Sequence, residues 1–369
     1  MVTSFQRAGV DTDQQNRLQR ASIIIVTFNG CRYLEANLTA VADELDESCE
    51  IIVIDNGSTD GGPDFIRCTY PNVRLEQNQT NAGFAAACNQ GAKLAQGDYL
   101  VFLNQDTLVT PGWLANLLDP LDSDQRIGLT SSKVLIMKDP DRVHLAGQNL
   151  HFTGLVFGRG HLDLARDWDQ PGPVSAVSGA SFAIRRDLWL ELSGFDESFF
   201  MYYEDTDLSW RAQLLGYDCY YTPGSVVYHD YDPGKSAHSG FYYAVRNRYL
   251  MLFKNWRWPT LLLLMPALLI AELVEWVLAI QRRRPGIQAK AKAAWWLARR
   301  VGQIRNARPA GGRLRHGASD HQMLRRFTWR LEPRSIIAGR PGYFLIAILN
   351  LVMALTYQIS IVLASLLHL

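Results

Sequence analysis

The chain has 369 residues, 48% of them hydrophobic and 20% charged, which excludes a disordered polymer and a single small domain. Its 37 Lys+Arg and 36 Asp+Glu sum to +1, but residues 281–342 alone hold 16 basic and 2 acidic residues, and the last 27 residues carry neither kind. An acidic front, a basic stretch of +14 and an uncharged end point to an anionic surface as partner, membrane or nucleic acid. Five scattered cysteines with no C-x-x-C exclude a disulfide framework and a cysteine zinc site, and fit a reducing compartment.

Residues 1–20 are polar and lack the apolar core of a signal peptide, so the front of the protein is expected to stay in the cytoplasm. The β-branched run 22–28 predicts a strand buried on both faces, followed by a helix through Leu34, Leu38, Val41 and Leu45. A second buried strand, 50–55, stops at Asn56-Gly57. A further helix–strand pair ends near Val73–Glu76, Ala82–Ala95 reads as a helix, and 99–104 as a central strand. This rhythm predicts a mostly parallel, Rossmann-like α/β sheet flanked by helices, with ligands beyond the carboxyl ends of its strands. Those ends turn polar at Asn29-Gly30, Asp55-Asn56-Gly57-Ser58 and Asn104-Gln105-Asp106. Residues 135–175 give no assignable pattern. Order returns with 177–184, a helix at 187–193, and the run Glu204-Asp205-Thr206-Asp207 opening a helix that continues over 208–215.

Two late segments are membrane candidates. In 260–280, twelve Leu, Ile and Val favour insertion by roughly 6 kcal/mol, while Glu272 and Glu275 cost about 3 kcal/mol each. Residues 343–369 make the better membrane helix. If both segments crossed, the basic stretch would lie opposite the cytoplasmic domain, against the positive-inside tendency. The expectation is therefore that 260–280 lies in the cytoplasmic leaflet and the terminal segment enters from the same side.

No G-x-G-x-x-G follows the first strand, Gly234-Lys235-Ser236 lacks the first glycine of a P-loop, and no G-x-S-x-G is present. Three carboxylate groups stand out instead. Asp55, at a strand end followed by Asn-Gly-Ser-Thr-Asp, can accept hydrogen bonds from a base or ribose, and reads equally as a turn. Asp106, ending a strand with two amides, suits a hard cation that also holds phosphates, and reads equally as a cap. Three carboxyls within 204–207 exceed what a helix dipole needs; their crowding raises at least one pKa and suits a general base. His229, in Tyr-His-Asp, can complete a metal shell or serve the fold.

The runs Ile-Ile-Ile-Val-Thr-Phe-Asn-Gly, Val-Ile-Asp-Asn-Gly-Ser-Thr-Asp-Gly, Asn-Ala-Gly-Phe-Ala-Ala-Ala-Cys-Asn-Gln-Gly and Val-Phe-Leu-Asn-Gln-Asp-Thr resemble the family 2 glycosyltransferases. The Ser-Gly-Ala stretch and Gly-Phe-Asp-Glu-Ser-Phe-Phe-Met-Tyr-Tyr-Glu-Asp-Thr-Asp-Leu-Ser-Trp-Arg resemble them too, with the flavour of the rhamnosyltransferase-like branch. The resemblance covers roughly 22–250. It implies a GT-A fold and inverting transfer from a nucleoside-diphosphate sugar, with dTDP-rhamnose the first donor and a UDP- or GDP-hexose the second. On that pattern Thr27, Asn29, Asp55, Asn81, Gly83, Asn89, Asn104 and Arg246 hold the nucleotide sugar. Asp106 and His229 hold Mg²⁺ or Mn²⁺, with Asn104 departing from the first carboxylate of the family's D-x-D. Asp205 is the base, and Gly179, Glu204 and Asp207 lie on the acceptor side.

The implied organisation is a polar tail (1–20), a GT-A domain (21–250), an interfacial helix with a basic membrane-proximal region (251–342), and a C-terminal membrane helix (343–369). The implied partners are a lipid-linked or polysaccharide acceptor and an anionic membrane at the cytoplasmic face, not nucleic acid. Two rivals are a sugar nucleotidyltransferase and a non-enzymatic binder. The first lacks a Gly-rich basic loop, having Cys31-Arg32-Tyr33 there; the second, using arginines interleaved with aromatics, is at odds with the apolar tail.

Overall fold

The computed structural model describes residues 21–45, 49–231, 233–306, 318–332 and 340–369. The tail 1–20 and parts of the basic stretch lie outside them. Strand β1 (Ala21–Thr27), buried along its whole length, is the hub of the sheet. It pairs in parallel with β2 (Glu50–Asp55) and β4 (Tyr99–Asn104), and β2 pairs in parallel with β3 (Arg74–Gln77). Alternate side chains of β1 serve opposite faces. Ile23 and Ile25 pack with Leu34, Leu38 and Val41 of α1 (Cys31–Glu44), while Ile24 and Val26 pack with Ala85, Cys88 and Ala92 of α3 (Phe84–Leu94). Helix α2 (Gly62–Thr69) joins β2 to β3.

The second half of the sheet changes direction. Beyond β4 the order continues β11, β6, β12, β10. Strand β11 (Ser181–Arg185) runs antiparallel to both β4 and β6 (Ile127–Ile136), while β12 (Asp218–His229) is parallel to β6. The parallel pattern read from the sequence therefore holds for the first four strands, and the whole sheet is mixed. A three-residue strand, β5 (Thr107–Val109), pairs antiparallel with the end of β12, setting Thr107 opposite His229. Helices α4 (Trp113–Ser123) and α5 (Arg186–Glu191) complete the cover.

Residues 139–174 form short strands. β7 (Asp139–Leu145) pairs with β6, β8 (Gln148–Leu150) with β9 (Val156–Gly158), and β10 (Gly172–Val174) with β12. Three-residue strands between glycine turns show too few alternations to give a period.

After α6 (Glu204–Leu214) the chain becomes helical: α7 (Pro233–Asn255), α8 (Trp258–Leu263), α9 (Met265–Gln281), α10 (Arg283–Asn306), α11 (Asp320–Arg326) and α12 (Arg340–Leu366). They share a core with the domain through Trp210, Trp256 and Phe327, whose rings meet edge to face. The candidate segment 260–280 is two helices. Its two glutamates face inward: Glu275 meets Lys290 at 2.8 Å and Arg248 at 2.9 Å, and Glu272 meets Lys290 at 2.7 Å. Among the described residues one helix, Ile346–Leu366, is long and apolar enough to cross a membrane.

Candidate active site

The carboxyl ends of β1, β2 and β4 open on a cavity of about 730 Å³. The β5–β12 pairing brings one wall together. Asp230 donates its N–H to the Asp106 carbonyl at 3.0 Å, and His229 Nε2 stands 3.2 Å from Asp106 Oδ1. Behind His229 lies His144, from the unassigned region, with the two Nδ1 atoms 3.0 Å apart and the rings stacked. Burial, reinforced by His229 and His161, pushes the His144 imidazole down to about 2, so it stays neutral. Whichever ring donates between the two Nδ1 atoms, His229 Nε2 stands beside a carboxylate oxygen. That arrangement suits a shared proton or a cation.

A second wall carries the acid pair. Asp205 Oδ2 accepts from the Gly179 N–H at 2.8 Å and from Gln148 Nε2 at 2.9 Å, and Oδ1 accepts from the Thr206 N–H at 2.7 Å. Glu204 Oε2 is buried with no hydrogen-bond partner among the described residues. Burial, then the neighbouring Asp205 charge, raises the Glu204 pKa well above its ordinary value. Burial also raises Asp205, against the hydrogen bonds it accepts. Glu204 is therefore the member that keeps its proton.

The turn before this pair is strained. Phe200, Tyr202 and Tyr203 all take left-handed φ, at 64°, 65° and 74°, a conformation costing about 1–3 kcal/mol each for such residues. What holds it is α7. Asn247 Nδ2 donates to the carbonyls of Phe199, Met201 and Tyr202 at 2.7–2.9 Å, and Arg246 donates to those of Ser198 and Phe199.

The third wall comes from loops after β2 and β3. Asp55 Oδ2 accepts from the N–H groups of Gly57 and Ser58, leaving Oδ1 buried and unpartnered among the described residues. Asn56 ties the loops together, donating to Asn81 Oδ1 at 3.0 Å and to the Gly83 carbonyl at 3.1 Å. Gly83 has φ 92°, and a Cβ there would lie 2.5 Å from the Phe200 ring. Asn29 accepts from the Thr59 N–H at 2.9 Å, bracing the neighbouring loop.

Of the residues expected from the sequence, Asn81, Gly83, Asn104, Asp106, Gly179, Glu204, Asp205 and His229 line this one cavity, and Asp55 sits beneath it beside Asn56. Four expectations are corrected. The Thr27 hydroxyl turns to Gln105 Oε1 at 2.7 Å, so it pins the loop after β4 instead of facing a ligand. Asn89 is buried and bridges to the Phe195 backbone through both N–H and carbonyl. Arg246 is buried against carbonyls, with its guanidinium over Tyr243 and Trp296, and does not line the cavity. Asp207 is fully buried in an ionic cluster with Arg211 (2.8 Å), Lys254 (3.2 Å) and Asn255 (2.9 Å).

Sequence reasoning missed Gln148, His144, Asn56, Gln105 and Arg282, all of which line the cavity. Arg282 lay within a basic run read as a membrane contact. Its position at the end of α9, with the guanidinium 4.5 Å over the Phe241 ring, is a property of the packing. Asn56 was visible as part of the Asp-Asn-Gly-Ser turn.

Residues 22–189 match the family model described as Glycosyl transferase family 2. The chain is 29% identical over 234 residues to an N-acetylglucosaminyl-diphospho-decaprenol L-rhamnosyltransferase of Mycobacterium tuberculosis, covering 56% of this chain and 75% of that protein. In architecture it is similar to S. aureus TarS 1-349 (TM-score 0.51, 16% identity, 92% of this chain and 90% of that one). It is also similar to GalNAc-T7 solved with UDP, GalNAc and Mn2+ (TM-score 0.53, 21% identity, 63% of this chain), of which it spans about half, 47%.

Proposed function

We propose, from the premise that the chain belongs to the family 2 glycosyltransferases through residues 22–189 and has a GT-A fold, that its cavity moves a sugar with inversion from a nucleoside diphosphate to a lipid-linked or polysaccharide acceptor. The observation that carries the reading is the meeting of Asp106–His229 and Glu204–Asp205 on one cavity. The first branch choice for the sugar is rhamnose, by likeness to the mycobacterial relative. The enzyme would work at the cytoplasmic face of the membrane.

Asp205, held by Gly179 and Thr206, takes the proton of the acceptor hydroxyl as it attacks the anomeric carbon. Gln148 donates to the same carboxylate, so an incoming hydroxyl competes with it for an oxygen lone pair. Asp55 and Asn56 hold the nucleoside. Asp106 and His229, one carboxylate and one imidazole, are too few to make a closed shell, and among the described residues no larger cluster of metal-binding side chains forms. Such a pair fits a Mg²⁺ or Mn²⁺ that borrows diphosphate oxygens and water. When bound, the ion offsets the charge of the departing diphosphate.

Thermal shift with nucleoside diphosphates tests the donor side. One nucleotide should stabilise the protein, more so with Mn²⁺, and Asp55→Asn, which keeps an oxygen for the Gly57 and Ser58 N–H groups, should reduce that shift. A response to every nucleotide, independent of metal, would contradict the reading.

Arg282 supplies the cavity's late cation. Losing a charge-assisted contact of about 1.5–3 kcal/mol predicts that Arg282→Ala raises a substrate KM roughly 10–100-fold while kcat changes far less. Steady-state rates with each substrate varied in turn would show which one it grips.

A further inference from the structure

The outer helices carry a second message. Helix α12 is apolar enough to span a bilayer, yet it is fastened lengthwise to the protein. Asn350 accepts from the Leu331 N–H at 2.6 Å and donates to its carbonyl at 3.1 Å. The Tyr357 hydroxyl donates to the Leu324 carbonyl at 2.9 Å. Beyond the helix, the carbonyl of Leu369 accepts from the His321 N–H at 3.2 Å. At 1.5 Å per residue, the helix runs about 24 Å from Asn350 to its end at Leu366, most of the ~30 Å depth of a hydrocarbon core. Ile346, Met353, Tyr357, Ser360 and Ala364 form one buried stripe along the helix.

A crossing α12 would take its fastenings with it. Helix α11 carries Arg325 and Arg326, and the irregular segment 327–331 follows with Arg330. Arginines and non-helical backbone at the centre of a bilayer are costly. The opposite faces of these helices suit lipid. Leu351, Leu355, Ile359 and Leu366 of α12 are exposed, and so are Leu269 and Leu273 of α9, which packs against it. Beside them α10 exposes Arg283, Arg284, Lys292 and Trp295, and no acidic residue occurs between 282 and 319. An apolar plane next to cations and an interfacial tryptophan complements an anionic bilayer surface rather than a second protein.

We infer that α9 and α12 form one monotopic surface that seats the enzyme in a single leaflet of an anionic bilayer, with α12 lying in the membrane plane instead of crossing it. This deepens the functional reading, since an acceptor with a lipid anchor then enters from the side, past Arg282.

The full chain, tagged at both ends and expressed in a bacterial host, decides the matter by protease digestion of sealed vesicles. In-plane seating on the cytoplasmic leaflet makes both tags protected in right-side-out vesicles and both cleaved in inverted ones; a crossing helix makes one tag protected and the other cleaved in each, which overturns the inference. Flotation of the purified protein on vesicles of phosphatidylcholine and phosphatidylglycerol, followed for the wild type and for Leu355→Glu/Ile359→Glu, provides the second readout. The expected result is that wild type floats and the variant loses at least tenfold in the bound fraction at an unchanged melting temperature. Failure of the wild type to float, or conversion of a wild-type dimer to monomer by the variant, assigns the face to something other than lipid. A parallel assay with a water-soluble acceptor keeps the two proposals apart, because sugar transfer there does not depend on membrane seating.

Discussion

Asp205→Asn should lower turnover by about 10²–10⁴-fold, the usual worth of a positioned base, while donor binding by thermal shift stays within about twofold. The amide keeps the shape and can still accept from Thr206, but it cannot take a proton. The companion variant, Glu204→Gln, separates the two acids. Glu204 is buried, its Oε2 has no partner among the described residues, and burial raises its pKa well above the ordinary value, so a neutral amide in its place should leave turnover within about fivefold. Equal losses in both variants would mean that the pair works as one unit. The pH profile carries a signature of its own. Asp205 must be ionised to act, and burial raises its pKa. Wild-type kcat therefore falls as pH drops through that raised value, a limb that the residual activity of Asp205→Asn should lack.

The largest loss of stability should come from Asp207→Ala. Asp207 is fully buried, and its carboxylate balances Arg211 and Lys254, themselves buried. Removing one partner of such a cluster leaves uncompensated charge and costs about 3–5 kcal/mol. A lowered urea midpoint at an unchanged slope is the expected result. Had Asp207 met the acceptor, as the sequence run suggested, the fold would hold and the acceptor KM alone would rise. The second partner of Lys254, Asp196 at 2.5 Å, reduces the loss without cancelling it.

The contrast within Glu204–Asp207 shows where sequence reading stops. Three carboxyls in four positions stand out in the sequence, because no helix cap needs so many. One turn of helix, however, points them in different directions. Asp205 and Glu204 reach the cavity, while Asp207 turns to Arg211 on its own helix and to Lys254 of α7, some fifty residues away in the chain. The parallel strands were legible because each is a continuous β-branched run with a polar end, and that is also why Asp55 and Asp106 stood out. His144 and Gln148 were not legible, since they belong to three- to seven-residue strands with no period. Arg246 misled for the opposite reason: an arginine near a phosphate site suggests a phosphate ligand, whereas this one braces a carbonyl-rich turn. The glutamates of 260–280 were read as a cost of insertion, but Lys290 and Arg248 neutralise them within the protein. What remains outward is apolar.

The left-handed turn at 200–203 reaches further than its own strain. Its geometry is imposed by two side chains on a helix more than forty residues downstream, beyond the stretch of chain that matches the family model. The acids proposed for catalysis are thus delivered by one part of the polypeptide and aimed by another. A protein trimmed after α6 would retain the loops after β2 and β3 and Asp205 itself, and still lie idle, because the side chains that aim that carboxylate would be gone. Chimeras of this enzyme should therefore exchange residues 195–256 as a single block.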